Sequence, residues 1–290
     1  MAKTNRPRRS MLYMPGANTR ALDKARSLAA DALILDLEDS CAPDAKDAAR
    51  ANVVAALAEG GYGNRELIMR VNALTTPWGH ADLVAAAKSG AHGVLIPKVD
   101  GAEGVRQAEA VLRDAGAPDD LKLWVMMETP LAILRAEEVA GATPRLAGLV
   151  LGTSDLAKDL HCAHTPERLP FLASLSLCIL AARAFDLAVM DGVHLDLDDE
   201  EGFARVCRQG AELGMDGKTL IHPKQLAAAN EAFGPSEADI AKAGKIIAAH
   251  QAAVAEGKGV VVVDGKLVEN LHVVGARRLL DMAEQIKTLG

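Results

Sequence analysis

The stretch LWVMMETP, residues 123–130, runs an apolar segment into a carboxylate, Glu128, and then into a threonine and a proline. A short apolar run of this kind suits a strand covered on both faces. Proline fits the first position of a helix, where the missing N–H would have had no partner. The segment therefore reads as a strand, an acid at its tip and the start of a helix. Seven other runs have the same form: SMLYMPG (10–16), ALILDLED (32–39), ELIMRVN (66–72), GVLIPKV (93–99), GLVLGTSD (148–155), LAVMDGV (187–193) and KTLIHP (218–223). Ala-rich stretches with helical spacing lie between them, such as TRALDKARSLAA (19–30), HADLVAAAKSG (80–90) and EGFARVCRQGAELG (201–214). Gly90, Gly116 and Gly214 stand where helices should end, each ahead of a new strand.

Eight βα units within residues 1–230 approach the usual size of a (β/α)8 TIM barrel. An open doubly wound sheet gives the same local pattern, and the count favours the barrel. After residue 230 the rhythm changes to a helical segment (235–259), then VVVVDGKLVEN (260–270), where Asp-Gly between apolar runs predicts a hairpin, then a last helix. Residues 231–290 are expected to form a C-terminal extension that closes over the active site or reaches a neighbouring subunit.

Composition narrows the function. The 290 residues carry 39 acids against 32 bases, a formal charge of -7, with no long basic run, so no nucleic-acid partner is expected. Hydrophobic residues are 50% and aromatics 3%, a balance suited to helices packed on a buried parallel sheet. Cys41, Cys162, Cys178 and Cys207 are scattered without zinc or disulfide spacing, which predicts a reduced, cytoplasmic protein. The basic start MAKTNRPRRS is followed by too short an apolar stretch for a secretion signal. FLASLSLCILAARAF (171–185) is too short and too polar to span a bilayer and reads as a core helix, so no membrane partner is expected.

Barrel chemistry gathers at the carboxyl ends of strands. Those tips hold Asp36, Glu38 and Asp39; Arg70 and Asn72; Lys98; Glu128; Thr153, Ser154 and Asp155; Asp191; and His222. Glu128 and Asp155 come from successive strands, roughly 5 Å apart, so both can reach one small cation. Magnesium fits best, as a hard ion that keeps places for water or substrate, with Mn2+ as a substitute. The competing reading is that each acid merely caps the following helix. Arg70 is shaped to clamp a carboxylate, or else to bridge to Asp36 or Glu38. Lys98 invites Schiff-base chemistry, but among so many acids it should stay cationic and act as an electrostatic prop. His222 and His161 read as structural residues. Arg20 and Lys24 share a helix face near the first tip, either as a phosphate site or as a solvated surface.

The segments RSMLYMPGANTRALDKA, DALILDLEDSCAPDAKDAAR, LIMRVNALTTPWG, GVLIPKV, METPLAI, LAGLVLGTSDLAKDL and DGKTLIHPKQL, in this order, resemble the HpcH/HpaI aldolase and citrate lyase β-subunit family, in the branch of malyl-CoA and citramalyl-CoA lyases. The resemblance implies a Mg2+-dependent barrel, assembled as a homotrimer or homohexamer, acting on a carbon–carbon bond of an acyl thioester. It implies Glu128 and Asp155 as metal ligands and Arg70 as the substrate-binding arginine. Asp36, Glu38 and Asp39 then support catalysis, and Gly152, Thr153 and Ser154 are taken to bind substrate. Arg20 and Lys24 would lie near the CoA phosphates. The family's acid–base aspartate, delivered by a neighbouring subunit, is matched here by Glu269. The expected reaction is retro-Claisen cleavage of a malyl-, methylmalyl- or citramalyl-CoA into acyl-CoA and a 2-oxo acid. The alternatives are malyl-CoA thioester hydrolysis and citrate lyase β-subunit work on a carrier-protein thioester. A lysine-based aldolase and a non-catalytic assembly partner are the rivals outside this chemistry.

Overall fold

The computed structural model describes residues 6–289. Eight strands close into a barrel in chain order: β1 (Ser10–Pro15), β2 (Ala32–Asp36), β3 (Glu66–Arg70), β4 (Gly93–Ile96), β5 (Lys122–Met127), β6 (Leu146–Leu151), β7 (Ala188–Asp191) and β8 (Gly217–Leu220). Each neighbouring pair is parallel, including β1 with β8, so the (β/α)8 barrel predicted from the eight runs is the observed fold.

Alternate residues of each strand face inward, as the pleat requires. The inner layer holds Met11, Ile34, Ile68, Leu95, Trp124, Met126, Val150 and Met190. Trp124 is fully buried, and the neighbouring strands accommodate its indole by having no side chain beside it. A Cβ at Gly148 would lie 2.3 Å from the ring, and one at Gly93 3.0 Å from it. Below the indole, the Arg8 guanidinium stands 5.0 Å from the ring centroid and pairs with Glu66, closing the amino-terminal mouth.

Local chemistry fixes the helix ends. The Asn18 side chain accepts from the Ala21 N–H to start the helix Thr19–Ala25, and Asp199 does the same from Gly202 for the helix Glu200–Leu213. Gly90, Gly116 and Gly214 all have positive φ, as expected at helix ends; Gly214 closes its helix with bonds to Ala211 O and Gly210 O. The helix Leu172–Ala184 is core on one face only. It buries Leu175 and Cys178 and leaves Leu177 and Leu180 exposed.

The chain divides into two compact units between Ala232 and Phe233, the barrel comprising Arg8–Ala232. In the other, the helices Glu237–Ala255 and Asn270–Leu289 pack together. The strands β9 (Val261–Val263) and β10 (Lys266–Val268) form an antiparallel hairpin. Its turn residues Asp264 and Gly265 have φ of 48° and 75°, the two positive values that favour Asp-Gly in such turns. Among the described residues, no helix is long and apolar enough to cross a membrane.

Candidate active site

Strand alternation delivers Tyr13, Asp36, Arg70 and Glu128 to the interior at the carboxyl end of the barrel. Asp36 and Arg70 are register partners on β2 and β3. Arg70 donates through Nε (2.6 Å) and Nη2 (2.7 Å) to the two oxygens of Asp36, a two-pronged pair. The guanidinium lies 4.7 Å from the centroid of the Tyr13 ring. Its Nη1 sits 2.8 Å from Glu38 Oε2 and makes a longer 3.5 Å contact with the exposed Asp39. The salt-bridge reading of Arg70 therefore holds, and the pairing fixes how the guanidinium is presented to the mouth.

Asp36 is fully engaged, because it also accepts from Glu38 N (2.9 Å) and Ser40 N (3.1 Å). Burial pushes its carboxyl up, but the Arg70 charge and these hydrogen bonds outweigh it and hold the group below the usual carboxylate range. Both of its oxygens are bound by Arg70. Glu38 is in the opposite condition. It is 7% exposed, and Oε2 lacks a well-aligned hydrogen bond. Burial is the main cause of its rise to about 8; Arg70 opposes the rise, while Asp39 and Glu128 add to it.

A raised folded-state value makes ionisation of Glu38 a cost that grows with pH, from the unfolded carboxyl range up through about 8. We expect Glu38→Gln to melt at a higher temperature than the parent at pH 8 in EDTA, with the two curves merging at pH 4. Equal melting temperatures at both pH values would show that Glu38 is ionised without penalty.

The loop carrying Glu38 is clamped by groups that sequence periodicity does not reveal. Lys46 is buried and donates to Leu37 O (2.9 Å) and Glu38 O (2.8 Å), 5.4 Å from the Trp78 ring centroid. Asn72 donates to Leu37 O and to Asp82, which is itself held by Arg50. By spacing, Lys46 and Asp82 resemble ordinary helix residues; only the fold shows them holding the second and third strand tips.

Glu128 is 1% exposed and turned inward. It does not cap the following helix, because the Thr129 side chain does so by accepting from Ala132 N at 3.1 Å. Glu128 Oε1 instead accepts from Lys98 N (2.7 Å), and Oε2 lies 3.6 Å from Lys98 Nζ. Lys98 has φ of 53°, a left-handed conformation uncommon for a side chain of this kind. Its ammonium also pairs with Asp155 and lies 4.0 Å from Glu38 Oε1. Burial alone would lower the Lys98 pKa, but Glu128, Asp155 and Glu38 outweigh it and raise it above its ordinary value. That argues against a neutral nucleophilic amine. Asp155 is in the first turn of the helix Thr153–Leu160, whose N-cap is Gly152, so Asp155 is not the cap either.

Gly152 lies against Glu128. A Cβ there would sit 2.4 Å from Glu128 Cβ and 2.6 Å from Oε2, so the missing side chain is what lets the acid stand upright in the mouth. Thr153 is buried and Ser154 exposed. Arg20 and Lys24 are both exposed on the first helix. His222 accepts from Lys224 N in a capping box with Gln225, and His161 is the left-handed C-cap of Thr153–Leu160. Glu269 belongs to the second unit, at the start of the helix Asn270–Leu289. Asp191 departs from the expected ring of tip acids. It faces away from the interior and bonds Arg168 and Lys218.

Glu128 and Asp155 both converge on one ammonium, so the space between them already accepts a cation. Hard oxygen donors suit Mg2+. Among the described residues, no group of three or more His, Cys, Asp or Glu side chains is arranged to hold a metal, so these two acids would leave most positions to water or substrate.

The HpcH/HpaI aldolase/citrate lyase model matches residues 9–223, from the start of β1 to just past β8. The chain belongs to this family. It is 51% identical over 286 residues to a (3S)-malyl-CoA thioesterase of Cereibacter sphaeroides, covering 99% of this chain and 98% of that one. It is 35% identical over 305 residues to an L-malyl-CoA/β-methylmalyl-CoA lyase of the same species, covering 97% and 96%. A solved structure of the protein CitE from Mycobacterium tuberculosis, in complex with magnesium, acetoacetate and coenzyme A, superposes with a TM-score of 0.75 at 28% identity, covering 95% and 97%. The enzyme class expected from the sequence, a lyase of the HpcH/HpaI and citrate lyase kind, accords with the family description. The thioesterase resemblance is the stronger of the two.

Proposed function

We propose that this member of the HpcH/HpaI aldolase/citrate lyase family hydrolyses the thioester of a malyl-CoA-type substrate, with Mg2+ held by Glu128 and Asp155. The observation that carries this reading is the end-to-end 51% identity with a (3S)-malyl-CoA thioesterase. It reverses the order expected from motifs alone, which put carbon–carbon cleavage first.

Bound there, the ion would act as a Lewis acid that polarises substrate oxygens. Arg70 receives the substrate carboxylate, which displaces the weak 3.5 Å contact of Asp39 on Nη1 while Asp36 keeps the guanidinium in place. Arg20 and Lys24 meet the CoA phosphates. Burial pushes the Glu38 carboxyl up to about 8, with Arg70 opposing the rise, and its Oε2 faces Arg70 Nη1 at 2.8 Å. Glu269 of a neighbouring copy, matched to the acid–base residue by the family resemblance, takes a proton as water adds to the thioester carbon, and returns one to the thiolate as the C–S bond breaks. Ser154 and the first turn of its helix lie at the substrate end, beside buried Thr153.

Exposed Val262, Leu267, Leu271 and Val274 around Glu269 suit a contact of the C-terminal extension with a second subunit, as in the homotrimer or homohexamer that the family resemblance implies. The four free cysteines are consistent with a reducing, cytoplasmic setting.

The test is product analysis with Mg2+ and (3S)-malyl-CoA. Hydrolysis yields free CoA and malate, whereas lyase action yields acetyl-CoA and glyoxylate, and EDTA should stop either. The lyase remains the second reading because the 35% identical relative is one; there Glu269 would protonate the thioester enolate instead. Gly152→Ala, by displacing Glu128, is expected to lower kcat/KM by about 100-fold. Parental kinetics in that variant would show that the close packing at 2.4 Å is dispensable.

A further inference from the structure

We infer that the Lys98 ammonium is a built-in counter-ion for the Glu128–Asp155 pair, and that it must leave for a divalent cation to enter, so that this lysine sets the metal affinity of the site. The inference rests on the proposed assignment of Glu128 and Asp155 as metal ligands.

The geometry makes the two cations exclusive. Lys98 Nζ pairs with Asp155 Oδ2, lies 3.6 Å from Glu128 Oε2 and stands 4.0 Å from Glu38 Oε1. It therefore occupies the ground between the two acids. Magnesium needs oxygens at about 2.0–2.1 Å, so an ion on those carboxylates would sit within a few ångström of the ammonium. Like charges at such a distance repel, on a site whose Glu128 is 1% exposed while Lys98 and Asp155 are 34% and 29% exposed.

The backbone allows the side chain to go while the anchor stays. The Lys98 N–H holds Glu128 Oε1 at 2.7 Å, through a left-handed turn with φ of 53°. Glu128 thus keeps its orientation whichever way the lysine stem points, and Oε2 is the oxygen freed by its departure. The ammonium has somewhere to go. Lys98 also lines an open cavity of about 400 Å³ beside the mouth, whose lining sets the carboxylates of Asp100, Glu103 and Glu138 among the guanidinium groups of Arg106 and Arg135.

One residue thus has two positions. Without metal it neutralises acids that would otherwise repel each other. With metal it swings outward, and the exchange lowers the net affinity for the ion.

Mn2+ binding without substrate, followed by the electron paramagnetic resonance of the free ion, tests this on the full chain. Lys98→Met keeps the aliphatic stem and removes the charge, and is expected to bind Mn2+ about tenfold more tightly than the parent. Lys98→Arg keeps the charge and should bind no more tightly than the parent, which separates charge from packing. In the parent, Mg2+ should also raise the amine labelling of Lys98 read by mass spectrometry. If Glu128→Gln and Asp155→Asn lose Mn2+ while Lys98→Met binds it no better than the parent, the counter-ion role is overturned and the metal site stands. If Glu128→Gln and Asp155→Asn bind Mn2+ as the parent does, or no protein binds it, the ligand assignment fails and the counter-ion role falls with it.

Discussion

Glu128→Gln is expected to lower kcat/KM on a malyl-CoA-type thioester by about a thousandfold or more, with little change in melting temperature. The substitution preserves shape, and the amide oxygen can still accept from Lys98 N at 2.7 Å. What it removes is the negative charge that would hold the cation opposite Asp155. A residue 1% exposed, ringed by Gly152 on one side and Lys98 on the other, cannot be replaced by a neighbour's carboxylate without rebuilding the mouth. Asp155, at 29% exposed, has more freedom, so Asp155→Asn should cost less than Glu128→Gln. Steady-state kinetics at saturating Mg2+ beside thermal melts of the same samples check the claim. Retained turnover in Glu128→Gln would remove the metal from this part of the mouth.

The barrel was legible because each apolar run is short, bounded and followed by a helix start, and those features are local. The hairpin was legible for the same reason, since Asp264-Gly265 satisfies a demand for positive φ within two residues. The direction in which a tip side chain faces is not local. Glu128 and Asp191 both end apolar runs, yet alternation sends one inward and the other outward, and the register that decides this is set by strand partners. At Glu128 the cap reading was removed by Thr129, which takes the cap itself. Lys98 was less legible still. Two residues after β4 ends, alternation ceases to apply, and only the left-handed turn explains how its N–H and its ammonium both reach the acids of the next strands. Gly152 could be placed at the sixth tip, but its close packing against Glu128 is a contact between strands that no single run encodes. Clamps such as Lys46 give no sequence signal, because their partners are backbone carbonyls.

Asp191→Ala should destabilise the protein by about 3–5 kcal/mol, a loss that many domains cannot survive, while leaving the chemistry of any folded fraction near that of the parent. The reason is a buried imbalance of charge on the outer side of the sheet. Asp191 is 0% exposed and accepts from Arg168 Nη1 at 2.7 and 2.8 Å, from Lys218 Nζ at 2.9 Å and from Gly192 N at 2.9 Å. Lys218 is 1% exposed and Arg168 is 7% exposed, so one carboxylate balances two buried cations. Its removal strands both. Lys218→Met removes the excess cation and leaves the Arg168–Asp191 pair intact, so it should cost much less than Asp191→Ala. Urea unfolding of the two variants measures the difference, and kcat measured on the folded protein shows whether the site is touched. Equal losses in both would mean that Lys218, not the unpaired charge, dominates this layer. A loss of kcat without loss of stability in Asp191→Ala would return Asp191 to the ring of acids at the mouth.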